Sequence, residues 1–470
     1  MREFVKHIHF VGIGGIGMSG IAEVLLDLDF TVSGSDMNDS SIVRRLQDAG
    51  ATIYIGHHAE NINGADAVVF SSAVNEDNPE LCSALENKIP MVPRAEMLGE
   101  LMRFRKGIAI AGTHGKTTTT SLVAAVLATA GVDPTFVVGG VVNSVHSNAR
   151  LGRGEHMVVE ADESDASFLH LQPQMAVLTN IDQDHMETYD GDYSRLKQTY
   201  LDFLHNLPFY GLAVVCFDDP DIREITERLR KPFITYGLSE DVEYRAVNIS
   251  QSGRDSIFEV IRYGESIGKF RLALPGRHNV LNALAAIVIG YKLELPAEAI
   301  RDALSGFQGI GRRFQQYGLL EMQGKAFELV DDYAHHPTEI DATLRATRDC
   351  WPERRILVVF QPHRFSRTRD LFDDFATLLA GAGDLIVTEV YAAGEAAIAG
   401  SDGRSLCRAI RKRGSDPVFV ESMEDLTEVL PGLIQDGDVV LTLGAGSIGR
   451  FAQNLAEEFS RHNRSTANDG

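Results

Sequence analysis

Apolar positions along this chain recur in two alternating rhythms. Runs of four or five consecutive apolar residues alternate with stretches in which apolar residues return every three or four positions. The first rhythm suits a strand covered on both faces, and the second suits a helix packed on it. Together they predict an α/β fold built on parallel sheets. A strand over 7–11 leads through a glycine loop to a helix over 17–27 and a strand over 31–35. A helix over 41–49, a strand over 67–70 and a helix over 97–104 complete a first domain, 1–104, and Arg103, Arg105 and Lys106 mark a polar junction. A second unit, 105–310, opens with a strand over 107–111, a second glycine loop and a helix over 116–131. Strands over 157–160, 177–180 and 213–217 follow. Between 242 and 274 the alternation tightens and predicts a small antiparallel extension, and two helices (one through His278 and Asn282, one over 296–305) close the unit. Strands over 326–331, 355–360, 385–388 and 439–443 predict a third α/β domain, 311–470.

Charge and cysteine content narrow the function. Of 470 residues, 44 are basic and 66 acidic, a net charge of −22. Such a surface repels a phosphate backbone, so general nucleic-acid binding is excluded, but one local phosphate site lined by backbone N–H groups is not. Cys82, Cys216, Cys350 and Cys407 form no CxxC pair, which argues against a zinc ribbon or a disulfide framework and fits a reducing compartment. The longest apolar run, near 283–290, falls short of the ~18 residues of a membrane span. The first ten residues carry no apolar stretch ending in small residues. The expectation is a soluble cytoplasmic protein without stable membrane insertion, and assembly into an oligomer is compatible with it.

Two glycine loops carry the first chemistry. Gly12-Ile13-Gly14-Gly15-Ile16-Gly17 satisfies GxGxxG between a strand and a helix, where backbone N–H groups and the helix N-terminus attract a diphosphate. Asp36, 19 residues after Gly17, stands where it could bind a ribose hydroxyl. NAD and a nucleotide sugar both carry a ribose and a pyrophosphate, and the motif does not choose between them. The second loop, Gly112-Thr113-His114-Gly115-Lys116-Thr117-Thr118, ends as a phosphate loop does. Its N–H groups would cradle phosphates, Lys116 would reach the β/γ oxygens, and the Thr117 hydroxyl would ligate Mg²⁺. Ile110 stands in the place of the usual first glycine, so the loop is a tighter variant opening at Gly112. An ATP loop beside a diphosphate loop suggests an ATP-driven reaction on an activated sugar.

Further polar clusters fall at predicted strand ends. Glu160-Ala161-Asp162-Glu163-Ser164-Asp165 and Asn180-Ile181-Asp182-Gln183-Asp184-His185 each follow a strand, where ligands of α/β sheets bind. Of these, Glu160 and His185 are singled out and the other acids are read as solvated loop residues. His278 and Asn282 share one helix face, as functional residues or as a buried polar pair. In the third domain, Asp331-Asp332-Tyr333-Ala334-His335-His336-Pro337 and Gln361-Pro362-His363-Arg364-Phe365-Ser366-Arg367 follow strands. Arg364 and Arg367 suit a carboxylate or phosphate clamp. A zinc site from His335, His336 and His363 is disfavoured, since adjacent histidines seldom point the same way.

Taken together these motifs, over roughly residues 6–458, resemble the Mur ligase family. The resemblance implies three domains: an N-terminal Rossmann-like domain for UDP, a central P-loop ATPase-like domain and a C-terminal Rossmann-like domain. It is similar above all to members that add L-alanine to the lactyl carboxylate of UDP-N-acetylmuramate, through an acyl phosphate, in the cytoplasmic synthesis of peptidoglycan precursors. Three small molecules, UDP-N-acetylmuramate, L-alanine and ATP, are then the partners. By that resemblance Gly12, Gly14, Gly15, Gly17, Met18, Ser19, Asp36, Ser71 and Ser72 would hold the UDP substrate. Gly112, Thr113, His114, Gly115, Lys116, Thr117 and Thr118 would hold ATP, with His278 and Asn282 on the adenine side and Arg313 and Asp332 reaching in from the third domain. Thr117, Glu160 and His185 would serve two Mg²⁺ ions. His335, His336, Arg364 and Arg367 would meet the carboxylates of L-alanine and the substrate. Sister ligases carry a carbamoylated lysine where this chain has Tyr200, with Lys197 three residues earlier, so no such modification is expected. The competing readings are a relative that joins a preformed peptide to the same sugar, an NAD-dependent oxidoreductase and a nucleotide sensor without turnover.

Overall fold

The computed structural model describes residues 4–71, 74–103, 105–143 and 147–466. Ser72 therefore lies outside the described residues. The N-terminal sheet is wholly parallel. It comprises β1 (His7–Val11), β2 (Thr31–Asp36), β3 (Thr52–Ile55), β4 (Ala67–Phe70) and β5 (Met91–Pro93), in the order β3-β2-β1-β4-β5. The order reverses between β1 and β4, which opens a crevice beyond the carboxyl end of β1, where the first glycine loop sits.

The central sheet has ten strands: β6 (Lys106–Ala111), β7 (Thr135–Val142), β8 (Ser147–Arg150), β9 (His156–Glu160), β10 (Met175–Leu178), β11 (Leu212–Cys216), β12 (Phe233–Gly237), β13 (Tyr244–Ser252), β14 (Asp255–Arg262) and β15 (Glu265–Leu272). Their order is β15-β14-β13-β12-β11-β10-β6-β9-β7-β8. β6 lies between β9 and β10, parallel to both, with Ile110 opposite Glu160 and Ala111 opposite Leu178. The loops that follow β9 and β10 thus emerge on either side of the loop that follows β6. β13, β14 and β15 are joined by two-residue turns, the short connection that antiparallel neighbours allow. They are the expected extension, added to the edge of the same sheet.

The third sheet comprises β16 (Gln315–Met322), β17 (Lys325–Asp332), β18 (Ile356–Phe360), β19 (Asp384–Thr388), β20 (Val418–Val420) and β21 (Val439–Leu443), in the order β16-β17-β21-β18-β19-β20. Only the β16–β17 pair is antiparallel. Its strands bury both faces: Val358, Phe360 and Leu441 pack on one side, Leu357, Val359 and Val440 on the other. That double burial is why these strands read as continuous apolar runs.

By packing, the chain forms two compact units. One comprises Met1–Ile249, Phe258–Leu272 and Asn279–Gln308, and the other Ser250–Ile257, Ala273–His278 and Gly309–Gly470. Within the first unit, the helix Ile16–Asp27 joins the N-terminal and central sheets. Ser147 Oγ donates to Glu23 Oε2 at 3.0 Å, and Arg45 bonds Glu23 Oε1 at 2.7 Å and Asn148 Oδ1 at 3.2 Å. Among the described residues, no helix is long and apolar enough to cross a membrane.

Candidate active site

The second glycine loop leaves β6 and enters the helix Lys116–Thr129. Gly112 and Gly115 have φ of +129° and +80°, conformations side chains resist. A methyl group at Gly115 would also stand 2.6 Å from Asn282 Oδ1. The loop is stitched to the segment after β10. Asn180 Oδ1 accepts from His114 N (2.8 Å), Asn180 Nδ2 donates to His114 O (2.9 Å), and Thr179 Oγ1 donates to the same carbonyl (2.7 Å). Asp182 N donates to Thr113 Oγ1 at 2.9 Å, while Asp182 Oδ2 lies 3.0 Å from His114 Nε2. Asp182, read from sequence as a solvated acid, therefore orients the loop.

Lys116 is folded back on this loop. Its ammonium donates to Gly112 O (2.7 Å) and Thr113 O (2.9 Å) and pairs with Glu163 Oε2 at 2.7 Å. Burial alone would lower the Lys116 pKa, but Glu163, Asp162 and Glu160 outweigh it and hold the ammonium above its ordinary value. Glu163 is only 2% exposed, and burial, outweighing the Lys116 charge, raises its carboxyl to about 7. Next door, Thr117 Oγ1 lies 3.0 and 3.1 Å from the two oxygens of Glu160, whose Oε2 also accepts from Gly139 N at 2.7 Å. A hydroxyl and a carboxylate are hard oxygen donors, and their pairing at the head of a phosphate loop fits Mg²⁺.

The other central residues take distinct places. His185 stands at a left-handed turn (φ +53°), its N–H on Asp184 Oδ1 at 2.9 Å and its Nε2 3.6 Å from Asp184 Oδ2. Tyr200 is buried behind the loop with its hydroxyl 3.4 Å from Thr113 Oγ1. Lys197 pairs with Asp221 (3.3 Å) and Glu224 (2.6 Å). Asn282 is buried and accepts from Thr119 Oγ1 at 3.2 Å, and Thr118, also buried, precedes Thr119 on the helix that follows the loop.

In the N-terminal sheet, Gly12 N and Ile13 N both donate to Ser35 O at 2.9 Å, and Gly14 N donates to Asp36 Oδ2 at 2.9 Å. Asp36 Oδ1 holds Asn38 N at 3.0 Å, so each carboxylate oxygen keeps a second lone pair for a hydroxyl. Gly15 caps the helix that contains Gly17. Met18 and Ser19 are buried in that helix, Ser19 Oγ accepting from Asn148 Nδ2 at 3.4 Å, and Ser71 follows β4 with its carbonyl on Val74 N. Sequence reasoning missed Arg94. A methyl at Gly17 would lie 2.9 Å from Arg94 Nη1, and Arg94 Nη2 is 3.7 Å from Asp162 Oδ2. One guanidinium thus sits beside the first glycine loop and the acidic run after β9. No local pattern signals it, because the contact spans 77 residues of chain.

The third sheet carries its own cluster. Asp332 Oδ2 and Oδ1 accept from Phe314 N (2.7 Å) and Ala334 N (2.8 Å), and burial, against the pull of Arg313, raises its carboxyl to about 6. His336 is buried as the N-cap of the helix Pro337–Cys350, whose Glu339 completes a capping box. His335 Nδ1 lies 3.2 Å from Glu339 Oε2, and Arg313 lies over the Tyr333 ring at 5.0 Å. Arg364 has φ of +68° and reaches toward Glu395 at 3.9 Å, and Arg367 is nearly buried with Nη1 3.3 Å from His363 Nδ1. Such a φ costs a non-glycine residue backbone strain, which the surrounding contacts hold in place. Burial, acting against Glu339, lowers His278 to about 4, so its ring is neutral at pH 7. A third GxGxxG, Gly444-Ala445-Gly446-Ser447-Ile448-Gly449, follows β21. Its space is filled from within: Gln361 Oε1 accepts Ile448 N at 3.0 Å, and side chains at Gly446 and Gly449 would strike Tyr391 and Arg312.

The comparison with family models decides what these sites belong to. Residues 7–106 match the model described as Mur ligase family, catalytic domain. Residues 110–290 match the Mur ligase middle domain, and residues 312–446 the Mur ligase, glutamate ligase domain. The chain belongs to the Mur ligase family. It is thus an ATP-dependent ligase of peptidoglycan precursors. Among solved Mur ligases it is similar to the UDP-N-acetylmuramate–alanine ligase of Thermotoga maritima, at 32% identity over 97% of this chain and 99% of that one, with a TM-score of 0.82. A murein peptide ligase from Psychrobacter arcticus is 24% identical over 96% and 98%, with a TM-score of 0.69. The MurF ligase of Thermotoga maritima, solved with ADP, is 17% identical over 92% and 96%, with a TM-score of 0.61. At these last two identities the likeness is one of fold.

Proposed function

We propose that this Mur ligase joins L-alanine to the lactyl carboxylate of UDP-N-acetylmuramate, with ATP supplying the driving force. The observation that carries the reading is the full-length likeness, at 32% identity, to the alanine ligase of Thermotoga maritima. The phosphate loop supports it chemically. A carboxylate is a poor acylating agent until one of its oxygens becomes part of a phosphate, and that transfer is mostly positioning and charge neutralisation. In this reading Lys116 leaves Glu163 and turns to the β/γ phosphates, while Gly112, Thr113, His114, Gly115 and Thr118 line the phosphate cradle. Thr117, Glu160 and His185 would hold Mg²⁺, which would lower the repulsion between the γ-phosphate and the attacking carboxylate. Asp36, Ser71, Ser72 and the first glycine loop take the UDP moiety, with Arg94 beside its diphosphate. The neutral ring of His278 suits a purine better than a phosphate. Arg364, Arg367 and His335 neutralise the amino-acid and substrate carboxylates. The acyl phosphate then yields to the alanine amine, and phosphate leaves.

The test is phosphate release from Mg-ATP and UDP-N-acetylmuramate with L-alanine added last. Release that needs both substrates, with the alanyl product in the mass spectrum, is expected. Activity with a tripeptide but not with alanine would assign the chain to the peptide-joining relatives instead.

A further inference from the structure

A buried polar cluster lies beneath the first glycine loop, and no step above uses it. It is assembled from His9 on β1, Ser33 and Ser35 on β2, His57 and His58 after β3, Asn61, and Glu80 in the first turn of the helix Pro79–Glu86. His9, Ser35 and Glu80 have no exposed surface. Glu80 Oε2 accepts from Ser35 Oγ at 2.6 Å, and Glu80 Oε1 accepts from Asn61 Nδ2 at 2.5 Å and from His58 N at 3.4 Å. His9 Nε2 and His57 Nδ1 lie 3.6 and 3.4 Å from Glu80 Oε2. The chain continues from His9 Nδ1 to Ser33 Oγ (2.8 Å), from there to His7 Nε2 (2.7 Å), and from His7 Nδ1 to Gly64 O (2.8 Å).

The arrangement keeps Glu80 charged. Burial opposes ionisation, but the contacts of His9, Ser35 and Asn61 outweigh it and hold the carboxyl at about 2. The N-terminus of its own helix adds to this, since its peptide dipoles favour an anion. A buried carboxylate is a poor route to stability, because an apolar side chain of the same volume often does as well. What it does supply is a fixed direction for the hydroxyl that bonds it.

That hydroxyl belongs to Ser35. The carbonyl of Ser35 holds Gly12 N and Ile13 N, and the next residue, Asp36, holds Gly14 N. Three successive N–H groups of the loop are therefore tied to two residues at the end of β2, and the first of these is tied to Glu80. We propose that Glu80 is a positioning residue for the nucleotide-sugar substrate: through Ser35 it fixes the end of β2 and so sets the shape of the loop that receives the diphosphate. This rests on the reading of that loop as the UDP site.

The test uses the full-length enzyme and Glu80→Gln, which keeps the shape but turns one acceptor into a donor facing either Ser35 or Asn61. Loss of one charge-assisted bond predicts that KM for UDP-N-acetylmuramate and Kd for UDP both rise by about tenfold. KM for ATP should stay within about twofold, because the phosphate loop lies on a different sheet. A folded Glu80→Gln with unchanged UDP affinity overturns the proposal, and so does an equal rise in both KM values, the mark of general damage. If Glu80→Gln does not fold, Ser35→Ala removes only the connecting hydroxyl and keeps the backbone carbonyl. It should weaken UDP binding by several-fold, and unchanged binding overturns the proposal. Wild-type enzyme that does not bind UDP at all would defeat the reading of the loop and the proposal with it. Wild-type binding that survives in both variants defeats the proposal alone.

Discussion

Lys116 and Glu163 are buried against one another inside the phosphate loop, and each is more consequential for having the other. Replacing Lys116 by Ala removes the only ammonium on the phosphate loop. Turnover should fall by at least about a hundredfold while a cooperative thermal transition persists, measured by phosphate release and circular dichroism. Glu163 makes a second, pH-dependent prediction. Its carboxyl is raised from an ordinary 4.5 to about 7, so between those values the folded protein keeps a proton that the unfolded chain has lost. Its contribution to stability is complete below pH 4.5 and is lost as pH rises through 7. Melting temperature should therefore decline from pH 5 to pH 8, and Glu163→Gln should flatten that decline. A slope identical in the variant would assign the decline to other groups, Asp332 among them. Glu80 acts in the opposite sense. With its carboxyl near 2, its contribution is present above pH 4.5 and disappears as pH falls toward 2.

These residues differ in how legible they were. Lys116 and Thr117 are local to a strand–loop–helix junction, and sequence alone finds them. Glu160 and Glu163 stand in one acidic run, and spacing does not say which faces the threonine and which the lysine. The turn after β9 decides that: Asp162 accepts Ser164 N, and Ala166 takes φ of +57°. The third GxGxxG has the reverse lesson, since its pattern is plain but its meaning depends on Gln361, Tyr391 and Arg312 filling the space.

At the scale of elements, the buried strands β6, β10, β18 and β21 announced themselves as apolar runs, whereas β2, which carries Ser35 and Asp36, is legible only through the glycine loop before it. The short strands β3, β5, β8 and β20, three or four residues each, were missed because so few positions show no period, and β12 and β16 were missed as well. β7 was hidden by Gly139-Gly140 within it. The helix Lys116–Thr129 starts from Gly115, whose left-handed conformation brings Asn282 against the loop. Gly115→Ala should cost about 1–3 kcal/mol through backbone strain alone and should raise KM for ATP, because the added methyl must displace either Asn282 or the loop. Thermal melting and ATP kinetics on the same preparation check both parts.

The whole molecule carries 22 negative charges in excess, yet the proposed substrates are themselves anions. Long-range repulsion then opposes encounter, and salt should relieve it, since screening at about 0.15 M reduces the field beyond roughly 8 Å. We expect kcat/KM for UDP-N-acetylmuramate to rise as ionic strength increases from about 10 to 150 mM. A fall over that range would mean that local cations such as Arg94 dominate the approach.

The seam between the first two sheets sets how this protein can be recombined. Glu23 and Arg45 on one side meet Ser147 and Asn148 on the other, and Arg94 reaches Asp162 across the same divide. A chimera spliced at residue 105, with its first part drawn from a relative, would inherit one half of each contact and a stranger for the other. Crossovers that move 147, 148 and 162 together with the N-terminal segment keep these partners matched, so breeding new substrate preferences into this scaffold calls for exchanging a discontinuous block rather than a contiguous one.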